Sequence, residues 1–432
     1  MIRKTTSGGR ALVCAAAAAQ SLLCSQAFAA DDADIRELRA LIARQQQQLD
    51  ALLAAQNTQK EKAAATSKVA EAPTASNPLP VGLKLYGSLD SGVEYVSKVG
   101  ANATGMTRIP STSGSGPSTL GLDFRGRIHD GIAAIGKAEM GLYLDTGSSG
   151  QGSRLFGRQL FVGVDSAWGA LTFGRQYSML YWGLMAGDLL GPNIYGLGSI
   201  DAYVPNARAD NAIVWRARFD KLSLGLGYSF GRETVSGSVP ASGVCAGEDS
   251  TDAGRCRSWS AMLKYEETFY GISAAYDKQH GGTSAQASFY GGAPAIAMTS
   301  SSDRDSRATV NAFLRLGKVR IGTGWLGRKV QITASEVSQN TEWLQAEYTI
   351  LPQWSADAGF FHVSNPDQDR RANLYALRTT YRFDEQLSTY VTAGYIDNGE
   401  SSAYGVSGGG SGTSPVAGNA QLGTMIGVRY RF

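Results

Sequence analysis

The last dozen residues, QLGTMIGVRYRF, alternate without a break and end at Phe432. Leu422, Thr424, Ile426, Val428, Tyr430 and Phe432 share one face, and Gly423, Met425, Gly427, Arg429 and Arg431 share the other. A period of two is the period of a β-strand, so this segment has one greasy face and one polar, water-tolerant face. In a soluble protein the greasy face would point at a core, yet no later element is there to cover it. The pattern suits a strand that closes a membrane barrel, with lipid outside and a polar lumen inside.

The amino-terminal end points to export. Positive charge without acid in residues 1–10, the apolar run ALVCAAAAAQSLL and the A-x-A pattern at Ala27, Phe28 and Ala29 read as a cleaved leader, residues 1–29. The alternative, a spanning helix, needs about 20 apolar residues and the run falls short. The leader removes three basic residues and no acid from a chain with 40 Lys plus Arg and 37 Asp plus Glu. The remainder is close to neutral, which argues against nucleic acid as a partner.

Residues 30–60 form a separate module. Ile35, Leu38, Ile42, Gln45, Leu49, Leu52, Gln56 and Gln59 recur at alternating intervals of three and four, the signature of a short coiled coil. An amphipathic helix lying on another surface is the other reading. Residues 61–80, rich in Ala, Thr, Ser and Pro, read as a flexible tether.

From residue 81 to 432 the chain reads as strands. The first, 81–96, puts Leu83, Leu85, Leu89 and Val93 on one face and Lys84, Tyr86, Asp90 and Glu94 on the other. The next two flank the turn His129, Asp130, Gly131. Further strands are expected near 158–165, 170–176, 211–219, 222–230, 258–265, 269–277, 307–316, 319–328, 341–350, 354–363, 372–383, 387–396 and 421–432. Short connections trade with long Gly/Ser-rich ones at 98–116, 177–210, 231–257, 278–306 and 397–420. The expected fold is all-β, a 16-stranded antiparallel transmembrane β-barrel behind an amino-terminal helical coiled coil. Aromatic residues gather at strand ends (Trp168, Trp215, Phe219, Trp354, Phe360, Tyr381, Phe383, Tyr430), the pattern of interfacial girdles or of ordinary strand composition.

Several stretches resemble the general trimeric porins of Gram-negative bacteria, the beta-proteobacterial type in particular. They are LYGSLDSGVEY at 85–95, FGRQLFVGVDSAWGALTFGRQY at 156–177, ADNAIVW at 209–215 and the terminal GVRYRF. The paired R-Q motifs, Arg158-Gln159 and Arg175-Gln176, carry the most specific part of the likeness. Val214 and Tyr430 depart from it, standing where such porins often carry a basic residue and a His. The resemblance implies a homotrimer in the outer-membrane lipid bilayer, with the loop 177–210 folded into the lumen. It also implies that the terminal aromatics, Tyr430 and Phe432, signal to the outer-membrane assembly machinery. The apolar patches MLYWGLM and DLLGPNIYGLG in that loop fit packing against an inner wall.

Alternation assigns the lumen face. Its basic members are Lys84, Arg125, Arg127, Lys137, Arg216, Arg218, Arg315, Arg320 and Arg378, with Arg382, Arg429 and Arg431 close to turns or the terminus. Its acids are Asp90, Glu94, Asp123, Glu139, Glu347 and Asp357, while Asp188, Asp201 and Asp210 lie in the constriction loop. A basic wall opposed by loop acids would set a transverse field and enrich anions, so a weakly anion-preferring channel for small hydrophilic solutes is expected.

Cys245 and Cys256 share the 231–257 loop in an oxidising compartment, which reads as a disulfide before a metal or redox pair. No catalytic constellation emerges and no cofactor is expected: His129, His280 and His362 are dispersed, and Gly408 to Gly410 lack a following Lys-Ser/Thr. A barrel lipase would need Ser and His paired on outward positions, and His362 is the outward histidine within a strand. A third class is a structural anchor whose coiled coil touches peptidoglycan or a periplasmic protein. A substrate-selective channel also fits the pattern.

Overall fold

The computed structural model describes residues 81–112, 114–201, 203–204, 207–232 and 245–432, with residue 47. The leader, the coiled coil and the tether lie outside the described residues. Alternating sequence becomes alternating exposure. On the closing strand Leu422, Ile426, Val428 and Tyr430 are 42%, 60%, 52% and 40% exposed, while Met425 on the other face is 2% exposed.

Sixteen long strands close into one barrel. They are β1 Val81–Val99, β2 Thr119–His129, β3 Ile132–Tyr143, β4 Gln159–Ser166, β5 Gly169–Tyr177, β6 Arg208–Phe219, β7 Leu222–Ser229 and β8 Ser258–Glu266. Then come β9 Tyr270–His280, β10 Arg304–Leu316, β11 Val319–Ile332, β12 Ser335–Leu351, β13 Trp354–Asn365, β14 Arg370–Arg382, β15 Leu387–Asn398 and β16 Gln421–Arg431. Each pairs antiparallel with its sequence neighbour, and β1 bonds β2 along one half and β16 along the other. At the seam the Gly87 amide donates to the Phe432 carbonyl (2.9 Å) and the Phe432 amide returns the bond to Gly87 (3.1 Å). The Phe432 ring covers Gly87 so closely that a Cβ there would stand 2.4 Å from it.

Closure satisfies the backbone and leaves a continuous apolar belt outside. Leu83, Leu226, Leu263, Val310, Leu344, Leu377 and Val391 are all more than two-fifths exposed. Exposed apolar surface this extensive is stable only against lipid. Aromatic rows bound it: Trp354, Tyr381 and Phe383 lie towards the tight turns, and Phe360, Tyr375 and Tyr395 pair across β13 to β15 at the far side. No described helix is long and apolar enough to cross a membrane; the strands do the crossing.

The strict alternation of connection lengths does not hold. On the side of the long loops, β11 joins β12 through 333–334, and β13 joins β14 through 366–369. The expected gap between strands at 328 and 341 is instead filled by strand. Inward-facing Val330 and Val337 pair there and pack against Phe289, Met298 and the Cys245–Cys256 bridge, so apolar alternation has a core to meet above the belt.

Candidate functional site

The segment 178–207 between β5 and β6 enters the barrel instead of crowning it. It begins with a short helix, α1 Met179–Leu184, whose Leu180 and Leu184 are buried. It then runs along the inner wall, tied by side chains that have room only because their neighbours are small. The Ser260 hydroxyl accepts from the Met179 amide (3.0 Å), Asn311 accepts from the Gly187 amide (2.8 Å) and Gln345 accepts from the Leu190 amide (2.8 Å). The Trp343 indole donates to the Gly187 carbonyl (3.1 Å) and Arg378 to the Leu190 carbonyl (3.3 Å). Tyr195 reaches the opposite wall, donating to Glu94 (3.2 Å). At the closest approaches the inward wall position is glycine: a Cβ at Gly322 would meet the Gly187 carbonyl at 2.4 Å, and one at Gly423 the Tyr195 ring at 2.6 Å.

Strand register fixes which residues face this loop. Lys84 pairs with Asp123, Asp123 with Lys137, Arg216 with Gly225, Arg315 with Arg320, Arg320 with Glu347, Asp357 with Arg378 and Asp90 with Arg429, all on the lumen face. Arg125, Arg127, Glu139, Arg218, Arg382 and Arg431 lie at the same parity. Part of the charge cancels locally. Lys137 pairs with Asp123 (2.5 Å), Arg125 with Asp165 (2.7 Å) and Arg378 with Asp357 (2.9 Å). Glu139 is taken by Arg158 (2.7 Å), and Glu94 by Arg108 (2.7 Å). Asp90 accepts from Tyr390 (2.6 Å) and Ser115 (2.6 Å), with Arg429 at 3.9 Å. Among the described residues, Lys84, Arg216, Arg218, Arg315, Arg320, Arg382 and Arg431 have no carboxylate at ion-pair distance.

The loop acids do not form the expected row across the opening. Asp201 is 4% exposed and bound by Arg307 at 3.1 Å, so it clamps the loop to β10. Burial raises its pKa, but the Arg307 and Arg328 guanidiniums outweigh that and hold its carboxyl below the usual range. Asp210 belongs to β6, not the loop, and is enclosed by Arg154 (2.8 Å) and Arg175 (2.7 Å). Asp188 alone makes no ion pair among the described residues; it is partly buried against the wall and accepts from Gln345 (2.8 Å). Burial pushes it from 3.8 up to about 6, against the opposing pull of Gln345 and Arg378.

Several inward residues escaped sequence reading. Arg307 and Arg328 share Asp305 on the wall, at 3.2 and 2.8 Å. Asp305 precedes the expected 307–316 strand, and only the longer β10 gives it an inward parity. Lys264 faces inward at the parity of Ser258 and Ser260, and alternation could have found it. Above the loop lies a cavity of ≈ 750 Å³ lined by Tyr143, Gln151, Arg158, Tyr181, Asn193 and Tyr290 among others. Cys245 and Cys256 are bonded (2.10 Å) and anchor their loop where the Cys256 amide donates to Gly281 (2.9 Å). His362 faces outward and bonds Asn373 (2.8 Å), and His280 bonds the Ser301 carbonyl (2.8 Å).

Comparison with known proteins matches this architecture. Residues 62–401 match the Gram-negative porin family. An outer membrane porin protein of Bordetella pertussis is 32% identical over 161 residues, a match taking in 34% of this chain and 42% of that relative. Among solved structures, an anion-selective porin from Comamonas acidovorans superposes with a TM-score of 0.65 at 18% identity, covering 82% of this chain and 100% of that one. OmpT of Vibrio cholerae in its trimer form gives 0.58 at 16% identity, covering 82% and 99%. OmpF of Salmonella typhi gives 0.53 at 17% identity, covering 81% and 97%. At these identities the structural likenesses speak to the fold alone, while the family match extends over most of the chain. With its closed sixteen-stranded barrel and inward-folded loop, this chain belongs to the family of Gram-negative porins.

Proposed function

We propose that the protein is an outer-membrane porin, a water-filled channel through which small hydrophilic solutes and ions diffuse passively, with a weak preference for anions. The observation carrying the preference is the set of inward cations that have no carboxylate partner among the described residues: Lys84, Arg216, Arg218, Arg315, Arg320, Arg382 and Arg431. Fixed positive charge on low-dielectric walls concentrates anions and lowers their barrier to passage. The constriction loop narrows the passage by lying along the wall. Of its two acids, Asp201 is neutralised by Arg307, which leaves Asp188 to supply the opposing field. The anion-selective porin from Comamonas acidovorans supports the same direction.

The functional unit in this reading is a homotrimer in the outer membrane, in keeping with the trimer form of OmpT. Tyr430 and Phe432 serve as the signal to the assembly machinery, and the segment 30–60 is a periplasmic coiled coil beyond a cleaved leader. The chain acts as a channel, not an enzyme. Reversal potentials across planar bilayers in a potassium chloride gradient test the preference; a cation-preferring channel would refute it. Deleting 30–60 tests the coiled coil: unchanged conductance with weakened envelope integrity would assign that segment to anchoring on peptidoglycan or a periplasmic protein.

A further inference from the structure

One cation in the lumen is held differently from the rest. The Arg216 guanidinium lies over the Trp182 ring at 4.3 Å. It makes no ion pair and donates no hydrogen bond among the described residues, whereas Arg158, Arg307 and Arg378 are each paired with a carboxylate. Its stem passes inward-facing Gly225, where a Cβ would stand 3.6 Å from Arg216 Cγ. Trp182 belongs to α1 of the constriction loop and is braced edge-on by Tyr177 (6.0 Å) and Tyr181 (5.5 Å), which themselves stack at 3.7 Å. Tyr181 also lines the cavity above the loop. An aromatic run therefore leads from the outer cavity to Arg216.

A guanidinium whose plane is fixed by a ring, with its N–H edge unused, is arranged for two parallel hydrogen bonds to a planar anion. A spherical halide uses the charge but not the fork. The partly buried rings of Tyr181 and Trp182 offer apolar contact beside it. We propose that Arg216 and Trp182 form a binding station for aromatic carboxylates at the constriction, with the carboxylate on the Arg216 fork and the solute ring against Tyr181 and Trp182. This rests on the reading that solutes traverse this lumen.

The test compares the full-length protein with Arg216→Lys, which keeps the charge and loses the fork, in planar bilayers bathed in chloride, benzoate or cyclohexanecarboxylate. Heat-modifiable mobility on SDS gels verifies that each variant is folded. In the wild type, benzoate should permeate more readily, relative to chloride, than cyclohexanecarboxylate does. In R216K the permeability of benzoate relative to chloride should fall about tenfold, as for one lost charge-assisted hydrogen bond, with the chloride-to-potassium ratio unchanged. Equal behaviour of the two carboxylates in the wild type, or an unchanged benzoate ratio in R216K, would overturn the station. A channel preferring potassium would defeat the anion preference above but not this site. Benzoate block of the potassium current in wild type against R216K then decides it, weaker block in R216K supporting the station and equal block overturning it.

Discussion

Arg307→Gln is the perturbation that most directly tests how the loop is held in the lumen. Arg307, 1% exposed, binds Asp201 on the loop at 3.1 Å and Asp305 on the wall at 3.2 Å, and lies over the Tyr203 ring at 4.7 Å. In the variant Asp305 keeps Arg328 at 2.8 Å, but Asp201 is left buried with the backbone amides of Tyr203 (2.8 Å) and Val204 (3.4 Å). Orphaning one member of a buried pair costs about 3–5 kcal/mol. Asp201 is on the loop and Arg307 on a barrel strand, so the cheapest relief is for the segment around 197–204 to leave the wall and let Asp201 hydrate. That shifts the docked-to-undocked ratio by roughly a hundredfold to several thousandfold, at about 1.4 kcal/mol per factor of ten.

Single-channel recording should therefore show larger or strongly fluctuating conductance from a barrel that still folds. Acid sharpens the test. In the wild type Asp201 is depressed when docked, so its contribution to docking is present above its ordinary pKa and is lost as pH falls through the depressed value. In R307Q the docked carboxyl is raised instead, so acidification should restore docking, and D201N added to R307Q should do so at every pH. Wild-type conductance in R307Q, or a double variant noisier than R307Q, would refute the clamp.

Asp188, raised to about 6, contributes most to docking below its ordinary value of 3.8 and loses that contribution as pH rises through 6. Open-channel noise should thus be lower at pH 4.5 than at pH 7, and Asp188→Asn should hold the low-pH behaviour throughout, both read from current power spectra. Gly423→Val should force Tyr195 from its seat and cost about 1–3 kcal/mol of loop packing, seen as faster proteolysis within the loop under conditions that leave the barrel intact. Reducing Cys245–Cys256 should leave conductance unchanged and accelerate cleavage of the 231–257 loop, since the bridge lies outside the constriction. Deleting Phe432 removes both seam hydrogen bonds to Gly87 and the ring above it, and should lower the yield of folded barrel in outer-membrane fractions.

The barrel was readable because a strand in a two-sided environment writes its orientation into every second residue. A slip of one position would turn Arg378 to lipid and Leu377 to the lumen, so the register Asp357 to Arg378 is over-determined by its neighbours. What alternation does not mark is height. β11 and β12 continue above the belt with the same periodicity because Val330 and Val337 meet a small core of loop residues, and nothing local in KVQITASEVSQN separates that core from lipid. The 329–340 stretch looks like a polar loop for the same reason: its outward members, such as Lys329 and Glu336, face water and pair with each other at 2.7 Å.

The site was less legible because charge has no meaning without its partner. Asp188, Asp201 and Asp210 are alike in sequence, yet Arg307, 106 positions away, takes the second into a buried clamp. Arg154 and Arg175 take the third, and the first, partly buried, is left with the Gln345 amide in place of a cation. The same pairing removes Arg158 and Arg378 from the count of free cations and leaves Arg216 in it, although all three are inward arginines. Selectivity in such a lumen is thus set by the residue left over after local neutralisation, not by the sum over the wall. It follows that removing the charge of a paired cation and reshaping the donor of an unpaired one should act differently on permeation: Arg378→Gln uncovers Asp357 and adds negative potential at the loop, whereas Arg216→Lys changes only the shape of the donor and leaves the potential as it was.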